Sequence, residues 1–342
     1  MSIKYQILGK PGRDNALMVW INGGNQIYRL LFDCGENLLH EIRQTDVKSI
    51  DYLFFSHLHI DHVAGFDYFF RRNYDRETKP IKVWGPMDTS AIIHHKLQGF
   101  KWNLASGQPG IWDITDITDG KLIKTTYKTS DGFSKRHDES KEDFDGTILE
   151  TKDFIVKVKI LNHIIPTIGY RITEKNSLNI DKQSLLETGL PAGPWIEKLK
   201  DLSISGKESI EIEDKIYNID KLRDTLLVET QGESIAYLTD FIYDKASNKG
   251  AIELENESET VVCESQYLSD DKDLAEKNYH LTAHQAAEIA KKAKAKKLIL
   301  FHISERYAPD KDYGRILSEA RSIFAETYFP NEWNKIHLNN KL

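Results

Sequence analysis

The sequence predicts an α/β domain with strands in both halves of the chain and one arm-like insertion. Three observations carry that prediction. Short strand-like runs alternate with helical patterns near both ends of the chain, several of those runs stop on a histidine or an aspartate, and residues 175–222 lose the rhythm. The 342 residues, 40% hydrophobic and 29% charged, suffice for a sizeable core.

The elements follow in order. "IKYQIL" (3–8), "LMVWI" (17–21) and "YRLLF" (28–32) are separated by Gly, Asn and Asp, as in a β-meander. "NLLHEIRQ" (37–44) has helical spacing, and "YLFF" (52–55) is a continuous apolar run that reads as a buried strand. "IKVWG" and "AIIHHKLQGF" repeat the strand-then-helix order. Residues 131–146, "DGFSKRHDESKEDFDG", form a charged tract expected as an exposed loop or insertion. "FIVKVKIL" (154–161) alternates like a strand and stops just before His163. Residues 175–222 contain "GLPAGPWIEKLK" and are expected as a functional arm or lid within a single domain spanning 1–342. Beyond it, "SIAYLTD" ends at Asp240, "TVVCES" carries Cys263 and Glu264, and "KLILFH" ends at His302. "TAHQAAEIAKKAKA" between them is an amphipathic helix opened by a Thr282/Gln285 capping box.

Composition narrows the function. A net charge of −7 excludes a chain basic throughout that coats nucleic acid non-specifically, although it leaves room for a local basic patch. Two cysteines, Cys34 and Cys263, make no disulfide framework and fit a reducing compartment. With no apolar stretch of secretory or membrane-spanning length, the expected location is cytoplasmic, without membrane contact.

The chemistry concentrates in "SHLHIDHVAGF". His57, His59, Asp61 and His62 crowd directly behind an apolar strand, and such charge density needs a partner that offsets desolvation. Imidazole nitrogens with carboxylate oxygens suit Zn²⁺ and similar divalent ions. One ion does not take all four from so short a loop, so two adjacent sites are expected. His163, Asp240 and His302, each at or past a strand end, complete them. One set is His57, His59, His163 and Asp240; the other is Asp61, His62, Asp240 and His302, with Asp240 bridging. A pair of ions lowers the pKa of a bound water from about 15.7 to roughly 7 and clamps an in-line displacement at phosphorus. Protonation of the leaving oxygen remains, and His280, oriented by Glu264, is the candidate acid. His94, His95 and Cys263 read as structural, and His137 as solvated.

These residues resemble a known family. "SHLHIDHVAGF" is similar to the His-x-His-x-Asp-His motif of the metallo-β-lactamase superfamily, followed here by Gly65. Within it the chain resembles the ribonuclease Z branch, on "LFDCGE" (31–36), "GLPAGPWIEKLK" (189–200) and "YHLTAHQAAEIAKKAKAKKLILFHISERY" (279–307). The resemblance implies an αββα sandwich with the metal site along one edge of the sheets, and two Zn²⁺ ions, with Mn²⁺ or Fe²⁺ as alternatives. It implies Asp33 as a buried aspartate supporting the metal loop, His280 as the catalytic histidine, and Asp61 as the residue that helps hold and deprotonate the attacking water. The arm, with Gly193, Pro194, Lys198 and Lys200, would grip precursor tRNA through exposed basic and aromatic groups, and the chain would form a homodimer. The implied reaction is removal of the 3′ trailer of precursor tRNA. A hydrolase of a small phosphodiester or cyclic nucleotide, and a zinc-dependent scaffold without catalysis, are the alternatives. The acidic net charge and the loop "GKPGRDN" (9–15), unlike the family's usual sequence there, favour the small ester.

Overall fold

In the strand Ile27–Phe32, Leu30 and Phe32 face one way and Leu31 the other, as the two-residue strand period dictates. Leu30 and Phe32 share a core with Tyr170 and Tyr237, whereas Leu31 packs with Phe66, Phe69 and Ile93. The same sorting separates Phe54 from Leu53 and Trp84 from Val83. It is why "YLFF" is apolar without interruption: both faces of that strand are covered. The computed structural model describes residues 3–24, 26–309 and 311–335.

Two sheets result. The first has eight strands in sequence order, from Lys4–Gly9 to Glu139–Asp143, and the strands from Ile27–Phe32 to Ile111–Thr118 run parallel. The second has seven, ordered Thr327–Tyr328, Leu298–Phe301, Thr260–Glu264, Ser234–Leu238, Ile165–Glu174, Phe154–His163 and Thr147–Glu150. Phe32 touches Tyr170 and Tyr237 across the interface, with ring centroids 5.3 and 5.8 Å apart. Helices Phe66–Asn73 and Thr89–Gln98 cover the outer face of the first sheet. Helices Lys245–Glu255, Ala283–Lys292 and Tyr313–Ile323 pack on the second through Leu254, Ile289 and Ile316. The order helix, sheet, sheet, helix is the αββα sandwich.

Three expectations change. "NLLHEIRQ" is not one helix but a 3₁₀ turn, Leu38–His40, and the start of a short helix, Gln44–Lys48. The charged 131–146 tract is not wholly a loop: it buries Phe133 and contributes Glu139–Asp143, which pairs with Lys121–Lys128. Its sequence, "ESKED", suits the end of a sheet, where charge discourages further strand addition. His137 there is exposed, as expected, and pairs with Asp131 at 2.6 Å.

The third change concerns the arm. The chain divides into two compact units rather than one, and Glu174–Gly232 is the smaller, extending past the expected 175–222. Strands Ser177–Ile180 and Leu227–Thr230 pair antiparallel and close it, beyond the point where the sequence rhythm resumes. Within it, helices Lys182–Thr188, Trp195–Lys200 and Ile219–Leu226 accompany a hairpin, Ser209–Ile212 with Lys215–Asn218. Trp195, Leu199, Ile210, Ile212, Leu222 and Leu226 form its own core. Gly193 and Pro194 lead into the middle helix, whose last turn carries Lys198 and Lys200. Trp195 is buried, with its indole N–H donating to the Pro191 carbonyl, so it is not the exposed aromatic contact expected of an arm. Among the described residues no helix is long and apolar enough to cross a membrane.

Candidate metal centre and active site

Strand ends build the site, in the manner of parallel sheets, which present functional groups past their carboxyl ends. Asp33 follows Ile27–Phe32, Ser56 and His57 follow Tyr52–Phe54, Asp240 follows Ser234–Leu238, Glu264 closes Thr260–Glu264, and His302 follows Leu298–Phe301. His163 closes Phe154–His163. Asp33, Asp240 and His302 each adopt the left-handed backbone region, at φ +61°, +51° and +53°. A single such residue turns the chain sharply at the end of its strand; strain of this kind gathers where function requires it. Gly65 lets the metal loop seat itself, because a Cβ there would meet the Gly35 carbonyl at 2.2 Å.

The polar side chains converge on Asp240, which is 2% exposed. Its Oδ2 lies 3.6 Å from His57 Nε2, 3.5 Å from His62 Nε2 and 3.7 Å from His163 Nε2, while Oδ1 lies 3.6 Å from His302 Nδ1. Asp61 Oδ2 stands 3.4 Å from His62 Nε2 and 3.9 Å from His302 Nε2. His57, His59 and His163 bring ligand atoms within 4.8 Å of one another, and so do Asp61, His62, Asp240 and His302. All seven expected metal residues therefore meet, in two adjoining sets.

These spacings fit divalent ions better than hydrogen bonds. Two ligand atoms each about 2.1 Å from one ion at a tetrahedral angle stand about 3.4 Å apart. A direct hydrogen bond would draw them to about 2.9 Å. His62 Nε2 is buried and has no hydrogen-bond partner, although its ring is clamped. The opposite nitrogen, Nδ1, meets Asp33 Oδ2 at 2.9 Å. His163 is held the same way, with Nδ1 donating to the Tyr279 carbonyl at 2.8 Å and Nε2 directed at Asp240. Such backing fixes tautomer and ring orientation in a metal ligand. Burial disfavours a charged His62 ring, yet Asp33 and Asp240 outweigh it and push its pKa well up.

Asp33 is the hub beneath the loop. Its Oδ1 accepts from the Ser56 N–H at 2.7 Å, and Oδ2 accepts from Ser56 Oγ, Tyr237 OH and His62 Nδ1 at 2.8, 2.8 and 2.9 Å.

A second pair flanks the cluster. His280 Nδ1 donates to Glu264 Oε2 at 2.9 Å, and Glu264 Oε1 accepts from the Phe241 N–H, the residue after Asp240, at 2.8 Å. Burial opposes charge on His280, but Glu264 and Asp240 push it up to about 9. Its ring centroid lies 4.9 Å from that of His163 and 5.6 Å from that of His302. The Thr282/Gln285 capping box forms as expected and fixes the helix start just behind His280.

Sequence reasoning missed Ser56 and Tyr237, which hold Asp33 together with His62. The only signal was a polar side chain at the buried end of an apolar strand. His94 donates through Nε2 to the Phe133 carbonyl at 2.8 Å and stacks on Tyr127 at 4.5 Å, bonded outside the cluster. Cys263 is buried in the core.

The fold and the strand-end cluster define a metallo-β-lactamase-fold hydrolase. Similar folds occur in the solved YhfI of Bacillus subtilis (TM-score 0.56, 14% identity, 96% of each chain covered). They also occur in a long form RNase Z from yeast (TM-score 0.55, 17% identity), which spans 96% of this chain and 40% of that one. Ribonuclease Z of Deinococcus radiodurans is 38% identical over 327 residues, covering 96% of this chain and 97% of its own. Ribonuclease Z of Bacillus cereus is 33% identical over 304 residues, 87% of this chain and 85% of its own. The chain belongs to the ribonuclease Z family and is a metal-dependent hydrolase of the endoribonuclease type. Residues 13–167 also match the family model described as Anti-Pycsar protein Apyc1.

Proposed function

We propose that the chain is a dinuclear zinc endonuclease that removes the 3′ trailer of precursor tRNA. The observation that carries this reading is the gathering of six His and Asp side chains around Asp240, beside the Glu264–His280 pair, in a chain of this family. His57, His59, His163 and Asp240 would hold one ion, and Asp61, His62, Asp240 and His302 the other. When bound, such ions acidify water to a nucleophile near neutral pH and offset charge on a transferring phosphate. The chain's residues do the rest. Asp61, the most exposed carboxylate of the cluster at 41% of its side chain, accepts a hydrogen bond from the attacking water and helps take its proton. His280 donates a proton to the leaving 3′ oxygen, and Glu264 orients the ring and offsets its charge. Asp33 keeps His62 facing the cluster.

Residues 174–232 would contact the body of the tRNA, with Gly193, Pro194, Lys198 and Lys200 in the candidate contact. We assign the enzyme to the cytoplasm and to a homodimer on family grounds. A second reading, hydrolysis of a small phosphodiester or cyclic nucleotide, is favoured by one observation. The arm unit carries twelve acidic and eight basic residues, a formal −4, which is a poor general attractor of RNA.

Incubating the zinc-loaded protein with precursor tRNA and, separately, with bis-p-nitrophenyl phosphate tests this. Trailer removal is the expected result. Hydrolysis of the small ester alone would refute the tRNA assignment, and turnover of neither would leave a binding scaffold.

A further inference from the structure

Ile164 alone links the strands Phe154–His163 and Ile165–Glu174, and it does so in the left-handed region at φ +62°. A β-branched residue is an outlier there, because its Cβ crowds the backbone; glycine or asparagine holds such a turn with less strain. Burial does not repay the strain, since Ile164 is 71% exposed. Ile60, between His59 and Asp61, is 81% exposed. Each isoleucine therefore adjoins one of two histidines, His59 and His163, whose rings lie 5.2 Å apart. Two exposed aliphatic residues thus directly follow, in the chain, two histidines of the ionic cluster.

Exposed apolar surface gains nothing until apolar surface covers it. A phosphodiester cannot cover it, being anionic and strongly hydrated. The face of a nucleobase can, as it does against apolar side chains in pockets and wedges that receive an unstacked base. We propose that Ile60 and Ile164 form an apolar shelf, at the His59–His163 rim, for the base of one nucleotide flanking the scissile phosphate. The shelf positions that nucleotide so that its phosphate sits over the cluster. Strain held at Ile164 in the free protein is then strain kept for a ligand. This inference rests on the RNA-cleavage reading above.

The test compares the wild type with Ile164→Asn, which suits the same left-handed turn, and with Ile60→Ser. Substrates are a precursor RNA and two versions abasic at one or the other nucleotide beside the cleaved bond. Each variant should raise KM for the intact RNA about tenfold, the scale of a lost aliphatic contact, with the loss on KM rather than kcat. Bound metal should stay at the wild-type level. One of the two abasic substrates should bring wild type and variants to the same KM. A variant with the wild-type KM, a gap that persists on both abasic substrates, or a loss of metal overturns the shelf. Wild-type protein that hydrolyses bis-p-nitrophenyl phosphate but not the intact RNA refutes the endonuclease reading, and the shelf with it.

Discussion

Asp33→Asn isolates what the hub contributes, because the side chain keeps its shape and loses its charge. Asp33 accepts four hydrogen bonds, three of them on Oδ2. An amide best keeps its oxygen toward those three donors, which turns its NH₂ against the Ser56 N–H and leaves two donors face to face. Each hydrogen bond to a charged acceptor contributes about 1.5–3 kcal/mol, and breaking a buried charged network costs about 3–5 kcal/mol. Stability should therefore fall by about 3–5 kcal/mol, read as a shift in the urea midpoint. The metal centre should suffer separately. With Asp33 neutral, the His62 ring keeps only an uncharged acceptor for its Nδ1 proton, and the backing that aims Nε2 at Asp240 is weakened. Loss of such backing typically lowers metal affinity about 10–100-fold, or about 1.4–2.7 kcal/mol. Competition against a fluorescent zinc chelator measures it, at a temperature where the variant is folded. Tyr237→Phe, which removes one donor and no charge, should give a clearly smaller effect on both readouts. A folded Asp33→Asn protein that binds zinc as tightly as the wild type would refute the argument.

The other expected outcomes are these. His280→Ala should lower the rate on precursor tRNA by about 10²–10⁴-fold while zinc content, measured by atomic emission, stays unchanged. Metal loss instead would place His280 among the ligands. Gly65→Ala should destabilise by about 1–3 kcal/mol or more, because its Cβ would meet the Gly35 carbonyl at 2.2 Å; thermal unfolding within 1 °C of wild type contradicts that packing. Glu255 is fully buried, neither carboxyl oxygen has a hydrogen-bond partner, and burial pushes its pKa well above the usual carboxylate range. The unfolded chain then releases this proton first as pH rises, so the contribution to stability is intact below about pH 4.5 and declines above it. Glu255→Gln, which does not titrate, should become more stable relative to wild type from pH 5 to pH 8 in urea unfolding, and a difference independent of pH would contradict this.

What could be read from the sequence was whatever is local or repeats a rule. The four residues of "HLHIDH" stand together in the chain, so their chemistry needs no tertiary information. His163, Asp240 and His302 were legible for a different reason: each ends an apolar run, and strand ends are where such sheets place ligands. Asp33 also directly follows an apolar run, "YRLLF", but its supporting role was legible only through the family motif. Its partners Ser56, His62 and Tyr237 lie 23, 29 and 204 residues away, and only the stacking of one sheet on the other brings Tyr237 to it. The limits of the arm were hidden because four-residue strands carry too little periodicity to register, and its closing pair lies partly beyond the irregular stretch. "ESKED" was misread because an edge strand that discourages further pairing has the composition of a loop. Ile164 is the extreme case. An isoleucine in a strand-rich stretch predicts extended backbone, and nothing local announces a left-handed turn there. Local preference fails at the position where the chain departs from it, and that departure adjoins the cluster. The residues least legible in the sequence are thus the ones that aim the site rather than the ones that compose it.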